Sequence, residues 1–226
     1  MTNLVLPNAG QNNLLEFFEN VVIAKGLLNA DDIKAYRDGN KVLKTTDLFI
    51  RKKIDLNGIV EVIDENDVEL QAVCNLSKGR IPSEKNIILS AMQLKYGFSA
   101  VAASPQSIRY SNSIYSLAGL TLDPNGTGGT VYAEKIPLNL QNAEFKASCD
   151  DVIFDEGRAS QFFSENVSNY GVDANPENNR VMIMPKFLKA DKTIRLTLKF
   201  PTGVVAPVGI HYVEVAYRGL ELTKRS

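Results

Sequence analysis

The 226-residue chain has no tryptophan, a single histidine and two cysteines, and each shortage closes a class of function. With His211 as the sole imidazole, a His-rich metal centre of the cupin kind lacks its ligands. A Ser-His-Asp triad would have to recruit Ser111 or Ser160 to His211 with no surrounding motif. The missing indole removes the large aromatic face that sugar platforms favour. Cys74 and Cys149 have neither metal-ligand spacing nor the density of a disulfide framework, and read as buried thiols in a reducing compartment. Excess charge is missing as well: 25 Lys and Arg face 26 Asp and Glu. That balance argues against a surface whose main task is gripping nucleic acid. No apolar run approaches the roughly 18 to 20 residues of a membrane span, and the N-terminus lacks the basic region of a signal peptide. The sequons at Asn75, Asn125 and Asn166 are therefore read as chance.

What remains is an ordinary folding composition, 44% hydrophobic and 23% charged, with a change of period along it. Residues 1–13 are polar and Asn-rich and read as an extended arm. Leu14, Leu15, Phe18, Val21 and Val22 recur at helical spacing up to Gly26. Asn29 offers an N-cap to a second helix over 30–37, with Gly39 as its stop. From residue 42 the period becomes two. Strands are expected at 47–54, 59–63, 68–74, 86–96 (continuing past Gly97), 108–117, 130–133, 138–147, 180–184, 193–200 and 209–222. Asn57-Gly58, Asp64 to Asp67, Lys78 to Pro82, Asp123 to Gly129 and Asn175 to Asn179 punctuate them, and Ala159 to Phe163 reads as a helical turn. About ten strands without long intervening helices predict an all-β sandwich or barrel over 42–226, preceded by an N-terminal unit over 1–41. No internal repeat is present, so one barrel fits the length better than two.

The candidate chemistry is thin. His211 lies between Ile210 and Tyr212 on an apolar strand and reads as a packed core residue. Asn125 to Gly129 lacks the Lys-Ser/Thr of a phosphate-binding loop. Asp150, Asp151, Asp155 and Glu156, like Asp64, Glu65 and Asp67, fit no calcium loop and read as solvated turns. Arg51-Lys52-Lys53 and Lys224-Arg225 are short basic clusters, read as solvated strand ends or contacts to an acidic neighbouring subunit. No catalytic residue, metal ligand or cofactor site is assigned.

The arm with short helices, the all-β body with long loops and the paired late strands, Lys192 to Phe200 and Ile210 to Leu222, together resemble a viral jelly-roll capsid protein. The pattern is similar to capsid proteins of small tailless icosahedral bacteriophages. The resemblance implies a single rather than double jelly roll and a self-assembling major shell subunit of the virion, made in the host cytoplasm. It leaves a vertex (penton) subunit or a fibre or receptor-binding module as the alternative. The implied partners are further copies in a trimer or pentamer, other capsid proteins and an internal membrane, with weak or indirect nucleic-acid contact. The apolar helix face of Leu14, Phe18, Val21 and Val22 is the candidate inter-subunit contact; covering the end of its own barrel is the equal alternative.

Overall fold

The computed structural model describes residues 10–83, 85–112, 136–163 and 180–225. Helix α1 (Gly10–Phe17) runs without a break into a π-helical turn, Phe18–Ile23. Because Gly10 is already helical, the arm expected over 1–13 does not extend through 10–13; residues 1–9 lie outside the described residues. Helix α2 (Ala30–Arg37) starts as the sequence predicts: the Asn29 side-chain oxygen accepts from the backbone N–H of Asp32 at 2.7 Å. Gly26 and Gly39 follow the two helical segments with positive φ, a backbone conformation that glycine adopts without a Cβ clash.

Among the described residues eight strands follow: β1 (Lys41–Ile54), β2 (Ile59–Ile63), β3 (Asn86–Ser99), β4 (Glu144–Cys149), β5 (Val152–Arg158), β6 (Arg180–Leu188), β7 (Ile194–Lys199) and β8 (Ile210–Lys224). A short helix, α3 (Leu138–Gln141), precedes β4. The strands form two four-stranded antiparallel sheets in the orders β1-β8-β3-β6 and β2-β7-β4-β5. The chain is thus an all-β sandwich. Its pairings are nested: β1 with β8, β2 with β7, β3 with β6 and β4 with β5. The inner faces meet in one core in which Leu48, Ile50, Leu94, Val213, Val215 and Tyr217 of one sheet face Val62, Phe145, Leu196 and Leu198 of the other.

The central strands of the first sheet, β3 and β8, are buried on both faces, which is why 86–96 reads as continuously apolar. Over its outer face at one end lie α1 and the π-helical turn. Leu14, Phe18, Val22 and Leu28 pack there on Ile88, Leu220 and Leu222. The register of β3 slips between Leu89 and Ala91 against both neighbours. The bulge thus sits at Ser90, while Gly97 pairs with Tyr212 in unbroken register. Opposite the slip is Gly219, where a Cβ would overlap the Ile88 carbonyl; the strands approach each other here only because position 219 has no side chain.

Several expected strands are corrected. Residues 68–74 form turns, with Ala72 at positive φ and Leu70 and Cys74 bonded to each other. Only their last residues meet a strand: the Arg51 N–H donates to the Val73 carbonyl and that of Asn75 to Phe49, covering the free edge of β1. Val68 and Leu70 are exposed. The strand expected over 138–147 begins only at Glu144, because Pro137 opens the turn of α3. Residues 108–112 make one bridge, Tyr96 to Ser111, in place of a strand. Strand β5 was not foreseen: its carboxylates and Gly157 read as loop, yet it is an edge strand bulged at Phe154. Residues 113–117, 123–129, 130–133 and 175–179 lie outside the described residues.

Candidate assembly surface

Strand register sorts the loops by end. Ile54 faces His211, Ser99 faces Ile210, and Ile59 and Glu144 both face Lys199. The segments 55–58, 99–108, 136–143 and 200–209 therefore gather at one end of the sandwich. The last three contain no Asp, Glu, Lys or Arg, in a chain that is 23% charged, while the first begins with the exposed Asp55. They place Val101, Leu138, Val204, Val205 and Val208 in solvent beside Ile59, and Val205 and Val208 are each 90% exposed. Half of the exposed large hydrophobic residues among the described residues lie at this end.

Buried polar side chains fix these loops from beneath. The Asn139 amide donates to the carbonyls of Leu56 (3.2 Å) and Val204 (2.9 Å) and so ties three segments together. The Tyr212 hydroxyl donates to the Ala103 carbonyl at 2.8 Å, and that of Tyr110 to Pro105 at 2.9 Å. His211 holds the last loop: its Nε2 lies 2.9 Å from the Pro207 carbonyl and its Nδ1 lies 2.8 Å from the Tyr96 hydroxyl. A carbonyl only accepts, so Nε2 carries the proton and Nδ1 accepts from Tyr96. Burial lowers the His211 pKa and keeps the ring neutral, although the bond to Pro207 and the charge of Asp55 act the other way. The sole histidine is a core residue, as its strand pattern predicts, and it also pins a loop. The sequence did not announce that second task, nor the roles of Asn139 and Tyr212.

The predicted contact face of the N-terminal helix is largely used within the chain. Phe18 is 1% exposed, Val22 and Leu14 are also buried, and Val21 is half-buried. Phe18 meets the Tyr36 ring edge-on at 4.9 Å. These residues cover the outer face of the sheet and not the open end of the sandwich.

Of the basic run, Lys53 is exposed as expected, but Arg51 and Lys52 are paired and not solvated strand ends. Arg51 and Lys95 are the two cross-strand neighbours of Glu214 and bond it at 2.6 and 2.9 Å. Burial alone would raise the Glu214 carboxyl, but the bonds from Lys95 and Arg51 outweigh it and hold the pKa below the usual carboxylate range. Arg51 also lies over the Tyr110 ring, 5.3 Å from its centre. Lys52 reaches Asp64 at 2.7 Å and Asp67 at 2.8 Å. The polar turn expected at 64–67 is therefore a clamp on an edge-strand lysine. Asp150 and Asp151 form the β4–β5 turn, both at positive φ, and Asp150 pairs with Lys192. Among the described residues, no group of three His, Cys, Asp or Glu side chains is placed to hold a metal ion. Both cysteines are free; burial raises the Cys74 thiol and pushes that of Cys149 up to about 11. No helix among the described residues is long and apolar enough to cross a membrane.

No family model, curated protein or solved structure matches the chain.

Proposed function

We propose that the chain is a single jelly roll and a self-assembling shell subunit of an icosahedral virion, of the kind built by tailless bacteriophages. The nested pairing supports the first half. A long hairpin whose described strands pair first with eighth, second with seventh, third with sixth and fourth with fifth, rolled into two sheets, is the pattern expected of a jelly roll. Such a fold hosts many roles, so the second half must come from a surface. The observation that carries it is the apolar loop end, in which segments 99–108, 136–143 and 200–209 carry no charge and are held by His211, Asn139, Tyr110 and Tyr212. A surface already ordered before association loses little entropy on docking, and exposed valines on it gain by leaving water. With one end of the first sheet's outer face covered by the chain's own helical segments, the second sheet offers a charged face and the loops an apolar end, surfaces suited to packing beside copies of itself.

Size-exclusion chromatography with light scattering, followed by negative-stain imaging of the largest fraction, tests the reading. Trimers, pentamers or closed shells are the expected result. A pentamer that forms no larger shell indicates the vertex position, and a trimer that never polymerises indicates a fibre or receptor-binding module. A monomer over about a hundredfold range of concentration would overturn self-assembly altogether.

A further inference from the structure

We propose that the turn segment 65–72 of one copy seats in a basic cleft beside the start of β1 in the next, a contact between two different surfaces that joins copies head to tail. This rests on the reading of the chain as a self-assembling subunit and adds to it one specific pair of surfaces.

The cleft lies where the π-helical turn and α2 meet the first residues of β1 and the last of β8, and its volume of about 580 Å³ is that of a ligand pocket. Leu15, Val42 and Leu43 give it an apolar wall, and Leu15 is 44% exposed. Its cations are Arg37, Lys41 and Arg225; its one acid, Glu19, accepts a hydrogen bond from the Tyr36 hydroxyl. Lys41 is paired with Asp32, whereas Arg37 and Arg225 are exposed and in no ion pair among the described residues. The register adds to the surplus, since Lys41 sits directly opposite Lys224. Like charges so placed destabilise a strand pair unless an acid answers them. The cleft is short of acid.

The turn segment has the opposite surplus. No Lys or Arg occurs over 64–77. Asp64 and Asp67 are spent on Lys52, but Glu65 and Glu69 are exposed and in no ion pair among the described residues. Beside them Val68 and Leu70 are 74% and 56% exposed. Two free acids and two apolar side chains thus answer two free cations and an apolar wall, the complementarity that sets partner and register. The segment is held ready: the Arg51 N–H donates to the Val73 carbonyl and its guanidinium to the Ala72 carbonyl at 2.9 Å.

A copy does not fill its own cleft. Asn75 lies beside Phe49 and Val73 beside Arg51, so the segment runs toward Lys53. Val42 and Leu43 lie the other way, about 23 Å back from Ile50 along the strand. The apolar wall gives a phosphate backbone nothing to gain, while it suits Val68 and Leu70. The occupant with the right chemistry is the same chain in a second copy.

Three variants test the contact. The first carries Glu65→Lys and Glu69→Lys, the second Arg37→Glu and Arg225→Glu, and the third all four. Melting temperature and assembly against protein concentration are measured for each beside wild type. All four side chains are exposed, and each variant is expected to melt within about 4 °C of wild type, a shift that a reversed charge at a helix end can cause. The first two are each expected to need at least about tenfold more protein to assemble, and the third, with both signs reversed, to recover most of that loss. An equimolar mixture of the first two is expected to stop at dimers, because only one unaltered segment and one unaltered cleft remain in each pair. Assembly of either of the first two at the wild-type concentration would overturn the proposal, as would a third variant no better than they are. Loss in the second variant alone would overturn it in favour of a different acidic partner. A larger fall in its melting temperature, at concentrations where wild type is monomeric, would mean that the chain fills its own cleft, and would overturn it too. Wild type that never assembles would instead sink the self-assembly reading itself.

Discussion

At the scale of single residues, the most exacting position is Gly219. Its missing Cβ is what lets β8 pass the bulge of β3, and the atom it would strike is a backbone carbonyl that cannot swing aside. Gly219→Ala is expected to cost about 2–4 kcal/mol, read as a lowered midpoint in a urea melt. His211 is exacting in a different way. His211→Phe keeps the ring's bulk but strands the Tyr96 hydroxyl and the Pro207 carbonyl, for an expected loss of about 1–2 kcal/mol. Its titration adds a pH signature. The folded pKa is lowered, so the unfolded chain takes up the proton first. The histidine's contribution is intact above the unfolded value of 6.5 and declines as pH falls below it. Melting temperature against pH should therefore slope downward below about pH 6.5 in wild type and lose that part of the slope in His211→Phe. Glu214, also lowered, adds a second decline at more acid pH, as protonation dissolves its bonds to Arg51 and Lys95.

At the scale of elements, the helical segment over 10–23 belongs to the sheet beneath it. Phe18→Ala would open a cavity between that segment, Tyr36 and the sheet, and is expected to cost about 3–4 kcal/mol by thermal or chemical melting. Removing residues 1–28 exposes Ile88, Leu220 and Leu222 but leaves the core between the sheets in place. A folded β signal in circular dichroism, a lower melting temperature and impaired assembly are the expected outcome; an unfolded chain would show that the cover is needed for folding. These elements also show what is legible in a sequence. Both helical segments, the Asn29 cap and the β7 and β8 runs stand out because each has a period and a stop of its own. Strand β5 does not, since an edge strand that carries Asp155, Glu156 and Gly157 reads like a loop. Segment 68–74 alternates like a strand but finds its partners within itself. The loop end was hidden for the same reason: its composition is scattered over three segments, and only the strand register brings them together.

At the scale of the whole molecule, the charge distribution sets how association should respond to solvent. Ion pairs between subunits would weaken with salt, whereas a contact of valines and prolines has no charge to screen. Assembly through the loop end is expected to change less than about threefold in midpoint concentration between low and high sodium chloride, and to strengthen in sulfate. A steep loss with sodium chloride would point to the charged face of the second sheet or to the contact of turn and cleft. The nesting of the strands has a consequence in time. The register that ties Lys41 to Lys224 joins the first strand to the last, and β8 lies between β1 and β3 at the centre of its sheet. On the ribosome, β1 and β3 must wait for residues 210–224 to be translated before the strand between them emerges. Closure of the first sheet is thereby deferred until β8 has been made, and His211, which fixes the apolar loops, arrives with that strand. On the self-assembly reading, a nascent chain cannot dock through those loops before β8 emerges, so manufacture and construction are kept apart by the order of the strands.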